Sequence, residues 1–187
     1  MKRRTTTIAG TSILTALVIV FDYALKFSGW KIAFPWFPAL KFDFTGIPIT
    51  LSLLMYGLPA GVTTSTMAFL AIFLRSGDWL GASQKALAEF FTILGIALFI
   101  KSKDKFAKNI AVILGLALRV ITTSLISLVV LPLYYPKFYP TLWAVALFLP
   151  LLAAFNIIAG SISILGGFLI YESLIKRMPA IISTNST

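Results

Sequence analysis

Few side chains in this sequence can do chemistry, and they stand where an apolar chain has most reason to avoid them. Asp22, Glu89, Arg119, Ser124 and Asn156 all fall inside apolar runs, while cysteine and histidine are absent altogether. That removes disulfides, thiolate nucleophiles, imidazole acid–base work and the usual transition-metal ligands. Asp22, Asp43 and Glu89 offer carboxylates, but nothing else in the sequence supports a reaction, so the expectation is a non-enzyme with no catalytic residue and no metal site. Ionisable groups inside a membrane span are costly and mark a functional site by default. The chemistry left to this set is recognition through carboxylate, guanidinium, amide and hydroxyl groups.

The elements that must position them are hydrophobic helices. Of 187 residues, 59% are hydrophobic and 12% charged, and the mean hydropathy of +0.96 exceeds what a soluble core of this size could hide. The apolar runs are too long and too uniformly apolar for barrel strands. The fold class is therefore an all-α integral membrane protein, a single membrane domain with six transmembrane helices near 8–26, 42–58, 61–75, 83–100, 110–133 and 146–174. The first run is read as a retained span, because it is long for a signal sequence and carries Asp22.

Six spans place Lys2, Arg3, Arg4, Lys101, Lys103, Lys105, Lys108, Lys176 and Arg177 on one side. The positive-inside rule makes that side the cytoplasm, with both termini there and the protein multi-pass in the cell membrane. This also explains the net charge of +10 without nucleic acid, which is not an expected partner. At 1.5 Å per residue from the cytoplasmic ends, Asp22 lies roughly 21 Å up, Glu89 about 16 Å, Arg119 about 14 Å, Ser124 about 21 Å and Asn156 about 24 Å. All but Arg119 fall in the outer half, as the polar lining of a pocket open to the outside. Arg119 and Glu89 come out at similar depth, which predicts a buried ion pair serving either a ligand or the structure alone.

One long segment is not helical in pattern. Trp30 to Pro48, WKIAFPWFPALKFDFTGIP, forms an irregular first extracellular loop dense in prolines and aromatics. Phe34, Trp36, Phe37, Phe42 and Phe44 read either as an interfacial belt or as a preformed lid over the pocket. Absent motifs narrow the energy source. No phosphate-binding G-x-x-x-x-G-K-[ST] run is present, and no pair of related halves marks a self-sufficient transporter.

Taken together, the basic amino terminus, the loop ending Leu40-Lys41-Phe42-Asp43-Phe44-Thr45-Gly46-Ile47-Pro48, the Gly57-Leu58-Pro59-Ala60-Gly61 turn, Leu131-Pro132-Leu133-Tyr134 and Phe155-Asn156 resemble the substrate-binding S components of energy-coupling factor (ECF) vitamin transporters, most closely the riboflavin-specific branch. The resemblance covers nearly the whole chain. It implies a subunit that binds riboflavin from outside as its transported ligand, with no cofactor of its own, and works with a transmembrane coupling subunit and two cytoplasmic ATPases. Ser12 and Ala16, a small-xxx-small pair on the first span, would contact the coupling subunit. The implied binding residues are Trp36, Phe37, Leu40, Lys41, Asp43, Thr45, Glu89, Phe90, Ser124, Ser127, Phe155 and Asn156. In such a site the ring stacks on Trp36 or Phe37, and Asp43, Asn156 and the serines bond the ribityl chain.

Departures from that branch are specific. Ala159 stands where the branch has a lysine, Glu89 replaces an asparagine, and the fifth span offers serines in place of an asparagine. Glu89 either accepts from a ring N–H or marks a ligand with a cationic group. The alternatives are an S component for a different vitamin or precursor, and, from another class, a ligand-free structural or assembly membrane protein.

Overall fold

The computed structural model describes residues 2–99 and 105–177. Its elements run α1 (Lys2–Phe27), β1 (Ile32–Phe34), β2 (Phe37–Phe42), α2 (Gly46–Tyr56), α3 (Leu58–Ser76), α4 (Trp79–Ala97), α5 (Lys105–Tyr134) and α6 (Leu142–Arg177). Part of the lysine loop and the end of the chain fall outside the described residues. Arg4–Phe27, Leu58–Ser76, Phe106–Tyr134 and Leu142–Arg177 are long and apolar enough to cross a membrane. On their outer faces Ile13, Val20, Ile113, Val129, Leu147 and Leu169 are exposed, as side chains facing hydrocarbon would be.

The other two helices differ from a simple crossing for identifiable reasons. The stretch expected as a second span over 42–58 starts helix only at Gly46, because Phe42 belongs to β2 and Asp43 organises a turn. Its 11 residues rise about 16 Å. Short as it is, α2 is buried almost throughout, packed among α1, α3 and α6 as a central post. In α4, Gln84, Lys85 and Glu89 dilute the apolar pattern, and the helix begins at Trp79, ahead of the expected 83, because Asp78 Oδ1 accepts the Gly81 N–H at 2.8 Å. Helix α6 continues through Pro150 for 36 residues, beyond both limits of the expected 146–174.

Two turns between helices depend on glycine. Gly57 at φ 88° links α2 directly to α3, whose first turn holds Pro59, and Gly77 at φ 68° closes α3 in a left-handed cap with its N–H on Phe73 O. The core lies where Val18, Ile49, Leu53, Ala68, Ile93, Ile96, Ala111 and Ile164 meet, drawing on all six helices. At the α4–α5 crossing the backbones touch, since a Cβ on Gly95 would lie 2.6 Å from Gly115 Cα.

The loop expected to be irregular is instead a two-stranded antiparallel hairpin. It pairs Ile32 with Phe42 and Ala33 with Lys41, with the register broken between Ala33 and Phe34. Phe34, Phe37 and Phe42, with Ile32 and Leu40, suit a pleated ribbon that turns Phe34 inward. Phe34 is buried, while Trp30, Ile32 and Trp36 are exposed.

Candidate functional site

Beneath the hairpin, between the ends of α1 and α3 and the inner faces of α4, α5 and α6, lies a cavity of about 740 Å³. The hairpin is pinned over it by aromatic contacts. Phe42 stacks on Phe155 of α6 at 4.9 Å, Phe34 meets Phe155 edge-on at 5.6 Å, and Phe37 meets Phe148 at 5.0 Å. The lining is unusually ionic for an apolar bundle: Lys26, Lys31, Lys41, Arg75, Lys85 and Arg119 face Asp22, Asp43 and Asp78 around it.

Two charge clusters organise these groups. In the first, Asp22 of α1, fully buried, is shared by Lys31 at 2.6 Å and by Arg75 of α3, which approaches it through Nε and Nη2. In the second, Lys85 of α4 reaches Asp43 at 2.7 Å and Glu89 at 3.3 Å, and Arg119 of α5 lies 3.0 Å from Glu89. The predicted Glu89–Arg119 pair is therefore present. Arg119 also donates through Nε to Asn156 Oδ1 and through Nη1 to Thr92 Oγ1, both at 3.2 Å, tying α4, α5 and α6 at the cavity floor. Such pairs stabilise only when their remaining donors and acceptors are met as well, which Asn156 and Thr92 do for the guanidinium.

Asp43 sits at the junction of hairpin and helix. Its Oδ1 accepts from the Thr45 N–H at 3.2 Å and from the Thr45 hydroxyl at 2.7 Å, a local turn that starts α2. Burial alone pushes its carboxyl up, but the Lys85 charge and hydrogen bond, the Thr45 hydroxyl and the Lys31 charge outweigh that and bring it down to about 2. Because this lies below the ordinary 3.8, the stability Asp43 contributes is present above that value and is lost as pH falls through the lower one. The melting-temperature gap between the parent and Asp43→Asn is therefore expected to stay constant between about pH 5 and 8 and to narrow only below about pH 4. A gap that already closes near neutrality would contradict the Lys85 contact.

Among the residues proposed from the sequence, Leu40, Lys41, Asp43, Ser127, Phe155 and Asn156 share the cavity wall. Glu89 and Thr45 lie just behind it, both fully buried. Glu89 faces Gly46, where a Cβ would come within 2.7 Å of Oε2 and collide with the Ser163 hydroxyl. The Glu89 carboxylate thus already holds two cations and is not presented to a cationic ligand. Trp36 and Phe37 stand away from the wall: Trp36 is 69% exposed, and Phe37 serves the hairpin's anchorage to α6. Phe90 lines a separate apolar groove between α3 and α4. Ser124 also misses the cavity, which takes Thr123 and Ser127 from α5. Ser12 and Ala16 are exposed on α1.

Lys31, Arg75, Lys85 and Thr123 also line the cavity, beyond the residues expected from the sequence. Helical phase would have found Thr123, because Arg119, Thr123 and Ser127 recur every four residues on one face and Ser124 does not. Arg75 was legible by height, since it ends its helix at the level where Asp22 nears the end of α1.

No family model matches this chain, and no curated protein matches it significantly. A solved structure does: that described as "Structure and mechanism of the S component of a bacterial ECF transporter" superposes with a TM-score of 0.77 at 24% sequence identity, covering 94% of this chain and 98% of that one. Six helices, the short buried α2 and the hairpin-capped cavity thus stand on the fold of an ECF-transporter S component.

Proposed function

We propose that this chain is the substrate-binding subunit of an ECF-type importer, capturing a vitamin-sized ligand without chemical change. The observation that carries this reading is the polar cavity itself, about 740 Å³ within an otherwise apolar bundle and covered by a hairpin on aromatic anchors. Cavities of several hundred Å³ with a few convergent polar groups are the form small-molecule sites take. The hairpin end faces outward and both termini face the cytoplasm, an orientation supported by the lysines and arginines at the termini and between α4 and α5. Energy comes from a transmembrane coupling subunit and two ATPases, and the exposed Ser12 and Ala16 on α1 let a partner helix approach closely.

The sequence resemblance gives riboflavin as the lead ligand. Phe155 and Leu40 supply apolar wall for a flat ring, and Asn156, Thr123 and Ser127 supply hydrogen-bonding groups for a polyol chain. Purified protein should show tryptophan fluorescence quenched by substoichiometric riboflavin, or carry yellow colour through purification. A response to thiamine, biotin or a pterin in place of riboflavin would keep the capture role and change the ligand. No response to any of them would leave the ligand-free assembly role. The different-vitamin reading is favoured by one feature, the surplus of cations around the cavity.

A further inference from the structure

We infer that the cavity holds an oxyanion subsite at Lys31 and Arg75, so that its ligand carries an acidic group, a phosphate or a carboxylate. This rests on the capture role proposed above and specifies its substrate class. The two charge clusters are not alike. In the inner one, two carboxylates, Asp43 and Glu89, meet two cations, Lys85 and Arg119. In the other, a single carboxylate, Asp22, faces two cations.

All three groups of that second cluster are drawn from water, with Asp22 0%, Lys31 14% and Arg75 10% exposed in their side chains. A surplus positive charge in such a place attracts an anion far more strongly than a surface lysine does, because solvent screens it less. Arg75 spends Nε and Nη2 on Asp22, and its Nη1 meets no acceptor among the described residues. A guanidinium used on one edge keeps donors on the other in the geometry that phosphate and carboxylate oxygens fit.

The other acids reduce this surplus without cancelling it. Asp78 keeps its charge while capping α4, and Asp43 also attracts Lys31, yet the six cations Lys26, Lys31, Lys41, Arg75, Lys85 and Arg119 stand against four carboxylates, Asp22, Asp43, Asp78 and Glu89. Lys26 and Lys41, also on the wall, have no carboxylate partner among the described residues and extend the positive field to the rim. Asp22 acts as a positioning residue, holding both cations toward one place. Riboflavin, being uncharged, would leave the surplus unanswered.

The test is a matched pair of probes on the full chain in detergent: riboflavin, and flavin mononucleotide, which adds only a terminal phosphate. Pantothenate and biotin serve as carboxylate probes, and Lys31→Gln is the variant, because it removes the surplus while Arg75 still neutralises Asp22. The expected result is that flavin mononucleotide or a carboxylate probe binds at least about tenfold tighter than riboflavin, and that Lys31→Gln abolishes this preference. The preference should also shrink as salt is raised, a readout on the parent protein that needs no variant. Phosphate and carboxylate arms separate the two sources of the oxyanion. Riboflavin bound at least as tightly as every acidic probe, or a preference unchanged in Lys31→Gln, would overturn the subsite and leave the capture role intact. Binding of no probe would overturn the subsite, and the capture role falls with it when thiamine and a pterin also fail to bind.

Discussion

Arg119→Leu is expected to lower the stability of the protein by about 3–5 kcal/mol, the cost of breaking a buried pair from one side. For a chain of this size that corresponds to a melting temperature lower by on the order of ten degrees. Glu89 is 0% exposed and lies behind the cavity wall, so its carboxylate cannot turn to water when Arg119 is lost. After the substitution Lys85 would have to serve both Asp43 and Glu89, two carboxylates on one ammonium. Thr92 and Asn156 would also lose the donors that now satisfy them, each a further penalty for a buried polar group.

The size of the loss comes mostly from the stranded carboxylate and less from the attraction itself. A second substitution separates the two. Glu89→Gln combined with Arg119→Leu removes the orphaned charge, so the double variant should be more stable than Arg119→Leu alone, with a coupling energy that the double-mutant cycle reads directly. Because the pair sits under the cavity, ligand affinity should fall with stability in the single variant and recover in part in the double. A single variant that melts with the parent would show that Glu89 does not depend on this guanidinium.

How far such a network is visible without coordinates depends on geometry that sequence carries unevenly. Depth along a helix is linear in residue number, which is why the Glu89–Arg119 pairing could be read from height alone. Azimuth is not linear in that way: Ser124 and Phe90 have suitable height but point away from the cavity, while Thr123 shares the face of Arg119. Composition marked the segment from Trp30 as special, yet strand pairing within it is a contact between residues, here Ile32 with Phe42, that no local pattern spells out. The same limit hid the role of Asp22. Its carboxylate was conspicuous, but its partners come from the hairpin and from the far end of α3. Helix α2 is shorter than the expected 42–58 for a related reason: its residues are largely apolar, and only the turn built on Asp43 shows that the helix begins at Gly46.

The second large effect concerns what brings those charges within reach of each other. Gly95→Ala is expected to destabilise the protein by at least about 2–3 kcal/mol, the upper part of the range for overpacking, and Gly95→Leu to give no folded protein. A Cβ at Gly95 would lie 2.6 Å from Gly115 Cα, 2.7 Å from its nitrogen and 2.8 Å from the carbonyl carbon of Leu114. These are backbone atoms of α5, so relief requires the whole helix to move. Gly115→Ala should be milder, because its Cβ would meet Thr92 O at 2.9 Å and the movable Ile96 side chain at 3.0 Å. Arg119 lies one turn beyond Gly115 on the same face, so displacing α5 draws its guanidinium away from Glu89, Thr92 and Asn156 together. Gly95→Ala should therefore weaken ligand binding as well as stability, although Gly95 lines no part of the cavity. Small residues permit this backbone contact between membrane helices, where apolar surface alone gives little reason to associate. If Gly95→Ala kept the parent's melting temperature and affinity, the close crossing would not be what sets the ion pair, and the floor of the cavity would have to be held by α6 through Asn156 instead.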